Sequence, residues 1–146
     1  MGPRRVTGAT PPFTLGAIDH VVLRVTDLDR MRAFYRDVIG CTDEREQAAI
    51  GLFQLRAGAS LIDLITIDGK LGAIGGAAPG AEGRNVDHFA ITVTPFDDAA
   101  IRAHLDHHGV AVEQAGPRYG AEGEGPSIYI SDPEGNIVEL KGPAFD

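Results

Sequence analysis

The chain has 146 residues, 43% of them hydrophobic, and a formal net charge of −8; this is the size of one domain that buries its own core without disulfides. Thirteen basic residues against 21 acidic ones argue against a nucleic-acid surface, and no apolar run approaches the roughly 18 residues of a membrane-spanning helix. The single cysteine, Cys41, has no partner for an internal disulfide, and Arg4-Arg5 is not followed by the apolar stretch of a secretory signal, so a cytoplasmic location is expected.

Residues 1–14, with Pro3, Pro11, Pro12, Gly2 and Gly8, read as a loose leader. The first strand is expected at Ile18-Asp19-His20-Val21-Val22-Leu23-Arg24-Val25-Thr26, where branched residues alternate with period two. A helix follows: Met31, Phe34, Tyr35 and Val38 fall on one face, Asp27 or Asp29 is placed to cap the start, and Gly40 closes the end. Strand-like runs then occupy roughly 44–48, 51–57 and 60–67, completing a first βαβββ module over residues 17–68.

Residues 69–85 are dense in Gly and Ala and read as a linker. No Gly-Lys-Ser/Thr follows, so this is not a phosphate-binding loop. The pattern then repeats. Val86-Asp87-His88-Phe89-Ala90-Ile91-Thr92-Val93-Thr94 matches the first strand, with Asp-His at the same place. Thr94 is expected to cap the next helix, with Pro95 in its first turn, Ile101 and Leu105 on its apolar stripe, and Gly109 at its end. Strand-like runs at roughly 111–115, 126–131 and 136–141 complete a second module over residues 86–142. Asp132-Pro133-Glu134-Gly135-Asn136 is the turn of its last hairpin. The predicted class is α+β: two βαβββ modules forming a concave mixed sheet, with helices on the outer face.

Each module also closes on a matched strand, Leu61-Ile62-Asp63-Leu64-Ile65 and Ile137-Val138-Glu139-Leu140-Lys141, with a carboxylate between apolar neighbours. Alternation puts the larger apolar sets, Val21/Leu23/Val25 and Phe89/Ile91/Val93, against the helices. His20 and His88 then lie on the concave face, and by the same rule so does Glu139. Two imidazoles with one or two carboxylates suit Zn, Fe(II), Ni or Mn, and three protein ligands leave open positions for water or substrate. The three histidines His104, His107 and His108 read as a solvated helix end.

In this order and spacing, Ile18-Asp19-His20, Phe34-Tyr35 with Val38-Ile39-Gly40, Val86-Asp87-His88, and Asp132-Pro133-Glu134-Gly135-Asn136 ending in Glu139-Leu140 resemble the vicinal-oxygen-chelate superfamily. Its branches include glyoxalase I, extradiol dioxygenases, fosfomycin-resistance thiol transferases, methylmalonyl-CoA epimerase and bleomycin-resistance proteins. The resemblance implies metal ligands at His20, His88 and Glu139. In glyoxalase-I-like members a fourth ligand, usually Glu, stands where this chain has the shorter Asp63. It also implies that Glu139 and Asp63 move the proton, from opposite sides. Arg24, four residues after His20, matches an arginine that contacts glutathione in glyoxalase I, whereas Ile67 stands where that enzyme has an asparagine for glutathione. Glutathione as a partner is therefore open.

The expected function is a divalent-metal-dependent, glyoxalase-like lyase or isomerase acting on a small oxygenated substrate through an enediolate or enolate. The alternatives are an extradiol-type dioxygenase, a resistance thiol transferase, or a non-enzymatic drug-sequestering protein. A homodimer is expected, because an open cup with exposed sheet edges is closed economically by a second copy. The loop 116–125 enters the last hairpin near the mouth of the site and reads as a lid, with Arg118 and Tyr119 as candidate substrate contacts.

Overall fold

The computed structural model describes residues 10–146, so most of the expected leader, residues 1–9, lies outside the described residues. The elements run β1 (His20–Val25), α1 (Leu28–Ala33), β2 (Thr42–Gln47), β3 (Leu52–Ala57), β4 (Ser60–Thr66), β5 (Phe89–Thr92), α2 (Asp98–His107), β6 (Gln114–Gly120), β7 (Gly123–Ser131) and β8 (Ile137–Lys141). Two βαβββ modules are present, and the fold is α+β. Each module hydrogen-bonds its own four-stranded mixed sheet, β1-β4-β3-β2 and β5-β8-β7-β6, with β1 parallel to β4 and β5 parallel to β8. Among the described residues no ladder joins the sheets, so β1 and β5 each have one edge without a partner strand there.

Local chemistry explains the helix ends. The Asp27 carboxylate accepts from the Arg30 N–H and starts α1. The helix continues as a π-helical segment, Phe34–Ile39, which turns both Phe34 and Tyr35 into the core. Gly40 ends it in the left-handed conformation, φ 94°, at little steric cost. In the second module the expected cap is corrected. Asp97, not Thr94, accepts from Ala100 N–H, and α2 begins at Asp98. An ionised Asp three residues before a free amide is the better acceptor.

Two further expectations give way in the second half. The run expected at 111–115 is mostly irregular, with Val110 and Val112 packed on the core as part of a connector. The expected lid at 116–125 is instead a hairpin: β6 pairs with β7 in unbroken register from Gln114↔Tyr129 to Gly120↔Gly123. Glycine and proline have low strand propensity, so the pairing leaves little trace in composition. The two prolines stand opposite each other, Pro117↔Pro126. Pro126 also lies just beyond the β7–β8 ladder, which begins at Ser127↔Lys141.

One core joins both modules. Leu23, Val25, Met31, Phe34, Tyr35, Ile62 and Leu64 from the first cluster with Leu105, Ile128, Ile130, Val138 and Leu140 from the second. Each such side chain contributes about 1.5–3 kcal/mol on burial. A polar clamp crosses the same boundary. Tyr35 Oη donates to Asp132 Oδ2 at 2.7 Å, and Asp132 Oδ1 accepts from the backbone amides of Glu134 and Asn136. Glu134 accepts from Thr26 N and Asp27 N, both at 2.7 Å, and Asn85 both accepts from and donates to the Arg24 backbone on the free edge of β1. The turn motif Asp132–Asn136 thus ties the second module to the start of α1. Burial and the neighbouring Asp132 carboxylate push the Tyr35 hydroxyl well above its ordinary pKa.

Candidate metal centre

The register places the two candidate half-sites equivalently. In β1–β4, Val22 stands opposite Asp63; in β5–β8, Ala90 stands opposite Glu139. In each case a histidine lies two residues before the paired position, on the same face as the carboxylate. His20 Nε2 is 3.9 Å from Asp63 Oδ2, and His88 Nε2 is 3.3 Å from Glu139 Oε1. The core takes the opposite faces: Leu23, Val25, Ile62 and Leu64 in one sheet, Val138 and Leu140 in the other. Both half-sites therefore lie on faces turned away from the shared core.

Each imidazole is held from behind in the same way. His20 Nδ1 lies 2.7 Å from Asp19 Oδ2, and His88 Nδ1 lies 2.7 Å from Asp87 Oδ2. With Nδ1–H donating to a carboxylate, Nε2 is left to face the site. The Asp19 hydrogen bond raises the His20 pKa, and the bond from His88 lowers that of Asp87.

The carboxylates are held differently. Both are nearly buried, at 5% and 8% side-chain exposure for Asp63 and Glu139, against 45% and 39% for His20 and His88. Glu139 Oε2 accepts a 2.6 Å bond from Ser127 Oγ, and Tyr129 is its cross-strand neighbour, with its ring 5.6 Å from that of His88. Burial and Glu139 push the Tyr129 hydroxyl upward. Asp63 receives only two 3.3 Å contacts from Gln54 Nε2, its neighbour across β3–β4.

One chain does not gather these four side chains. Among the described residues no group of three or more His, Cys, Asp or Glu is placed to hold a metal ion. His20 and His88 do border one cleft of about 690 Å³ between the free edges of β1 and β5, but neither Asp63 nor Glu139 lines it, and its walls are largely apolar, including Ile18, Val21, Ile39, Phe89 and Ile91. Each half supplies one imidazole nitrogen and one carboxylate, a donor set suited to Zn, Fe(II), Ni or Mn; the fit is in chemistry, two donors at a time.

The remaining sequence candidates separate. The Arg24 guanidinium is committed to the linker: Nε and Nη2 donate to the Gly72 carbonyl at 3.0 and 2.8 Å, Nη2 also to Gly76 at 2.6 Å, and Nη1 to Ala77 at 2.9 Å. Arg118 shares the face of Tyr129, with its guanidinium carbon 5.3 Å from that ring. Tyr119 points to the other side of β6 and is 85% exposed. Sequence reading noted the repeated Asp-His pairs but gave Asp19 and Asp87 no role, and it missed Ser127 and Tyr129, whose relation to Glu139 depends on strand register.

The family model described as Glyoxalase/Bleomycin resistance protein/Dioxygenase superfamily matches residues 17–140. The chain belongs to this superfamily. It is 33% identical over 132 residues to Virulence protein STM3117 of Salmonella typhimurium, covering 84% of this chain and 81% of that one. The crystal structure of that protein superposes with a TM-score of 0.74 and 25% identity, over 90% and 100% of the two chains. Mitochondrial methylmalonyl-CoA epimerase of Bos taurus is 27% identical over 140 residues, covering 92% and 78%. The crystal structure of lactoylglutathione lyase from Agrobacterium tumefaciens superposes with a TM-score of 0.61 and 25% identity, over 91% and 96%. Superfamily members commonly use divalent metals and act on small molecules. No helix among the described residues is long and apolar enough to cross a membrane.

Proposed function

We propose that this protein is a divalent-metal-dependent lyase or isomerase of the glyoxalase type, acting on a small oxygenated substrate, with His20, His88 and Glu139 as ligands. The observation that carries this reading is the duplicated geometry: an imidazole backed by Asp and facing a nearly buried carboxylate, at the same register in both modules. A bound divalent ion would hold one or two substrate oxygens and offset negative charge developing beside a carbonyl. The protein's own carboxylates move the proton. Glu139, fixed by Ser127 and facing His88, is built as a ligand. Asp63, with only long contacts to Gln54, is the freer proton acceptor and donor.

Two copies complete the site in this reading, with His20 and Asp63 from one chain meeting His88 and Glu139 from the other. The free edges of β1 and β5, the apolar cleft between them, and exposed Ile18 (84%) and Val22 (42%) support a homodimer joined at these edges.

The reading is tested by reconstituting metal-free protein with single metals and screening hemithioacetals, acyl-CoA thioesters, catechols and thiol-reactive antibiotics, with products detected by mass spectrometry. Turnover that disappears on chelation and returns with one preferred metal is expected. Ligand affinity that persists without metal, with no covalent bond changed, overturns it in favour of sequestration.

A further inference from the structure

The glycine-rich hairpin has a use beyond closing the second sheet. On the face that carries Glu139, β6 presents Gln114, Gly116, Arg118 and Gly120, and β7 presents Tyr129, Ser127, Gly125 and Gly123 opposite them. The glycines leave bare backbone, and two cationic side chains lie against it. A Cβ on Gly120 would fall 2.8 Å from Lys141 Cε, one on Gly125 would fall 2.5 Å from Pro143 O and 2.8 Å from Lys141 Nζ, and one on Gly116 would fall 3.1 Å from Arg118 Nη1.

Among the described residues neither cation has an acidic partner. Arg32, Arg36, Arg56 and Arg102 each pair with an Asp or Glu. Arg118 donates to its neighbour's carbonyl, Pro117 O at 2.9 Å, and to Gln114 Oε1 at 3.3 Å. Lys141 is only 7% exposed, and its ammonium makes one long contact, 3.5 Å to Gly142 O. An ammonium has three donors, and burying one without a counter-charge is costly. A chain of net charge −8 that keeps two unpaired cations beside its candidate centre is arranged for an anion supplied from outside.

We propose that Arg118 and Lys141, over the floor made by Gly116, Gly120 and Gly125, form an oxyanion subsite. Arg118, stacked on Tyr129, offers its planar fork. Lys141 lies in the same floor and supplies positive field from a poorly hydrated position. The substrate class is thereby narrowed to small molecules that carry a carboxylate, phosphate or phosphonate beside the oxygens presented to His88 and Glu139. That placement rests on the reading of Glu139 as a site residue; the anion subsite itself does not require bound metal.

The test uses the metal-free full-length protein, with inorganic phosphate, methylphosphonate and acetate as probes and chloride at matched ionic strength as control. Thermal midpoint and calorimetric affinity are measured for wild type, Arg118→Ala, Lys141→Met and Glu139→Gln. At least one oxyanion is expected to raise the wild-type midpoint above the chloride control, and the strongest of the three identifies the group. Arg118→Ala is expected to weaken that anion about tenfold to hundredfold. Lys141→Met should lose the response while remaining as stable as wild type without anion. Glu139→Gln should retain it, so loss of metal binding and loss of the subsite are read separately. No oxyanion effect beyond chloride, or wild-type affinity in both cation variants, overturns the proposal.

Discussion

His88 Nε2 stands 3.3 Å from Glu139 Oε1, while its counterpart His20 Nε2 stands 3.9 Å from Asp63 Oδ2. The same strand register thus yields a closer pair where the carboxylate is one methylene longer. The difference ranks the two acids: Glu139 is anchored by the short Ser127 bond, and Asp63 is not.

Glu139→Gln is therefore expected to weaken metal binding by about a hundredfold or more, beyond the roughly tenfold to hundredfold loss typical of groups behind the ligands. Asp63→Asn should keep most of the metal affinity while lowering turnover. Titration with Zn or Ni of each purified variant checks this. Equal loss of metal in both variants would make Asp63 a ligand of the same rank.

The pairing of each histidine with a carboxylate was legible in the sequence because it is repeated: Asp-His near the first strand and a lone carboxylate on the last occur in both modules, and period-two alternation assigns their face. What depends on register was not legible. Ser127 reaches Glu139 across the β7–β8 ladder, and the Arg24 guanidinium is taken up by Gly72, Gly76 and Ala77, about fifty residues away, in a linker without periodicity. The β6–β7 hairpin was hidden for another reason: its glycines weaken strand propensity, and side chains such as Arg118 and Lys141 lie against their backbone.

Asp19 and Asp87 set the orientation of His20 and His88 through Nδ1. Asp19→Asn and Asp87→Asn are each expected to lower metal affinity about tenfold to hundredfold without changing the fold. Nitrogen NMR of the histidine rings in metal-free protein supplies a second readout: the proton carried on Nδ1 in wild type should redistribute toward Nε2 in the variants. Unchanged ring signals in both would remove the positioning role.

Burial pushes the Cys41 thiol from 9.0 up to about 11. A raised folded-state value means its contribution to stability is present below pH 9 and lost as pH climbs from 9 to 11. The urea midpoint of wild type should fall across that window, and Cys41→Ala should fall less, with Tyr35 contributing part of the remaining slope in the same direction. Native Cys41 should also resist alkylation at pH 8 while the urea-unfolded chain reacts, because the thiolate is the nucleophile. Rapid alkylation of the native chain would contradict this.

If two copies complete the site, mixed dimers of two single-histidine variants reveal it. His20→Ala and His88→Ala homodimers should each bind metal weakly at every site. In a heterodimer of the two, one site combines both substitutions and the other combines His20 of one chain with His88 of its partner. Calorimetric titration of the purified heterodimer is therefore predicted to show one wild-type-affinity metal site per dimer. A heterodimer that binds no more tightly than either parent would contradict the account and place each site within a single chain.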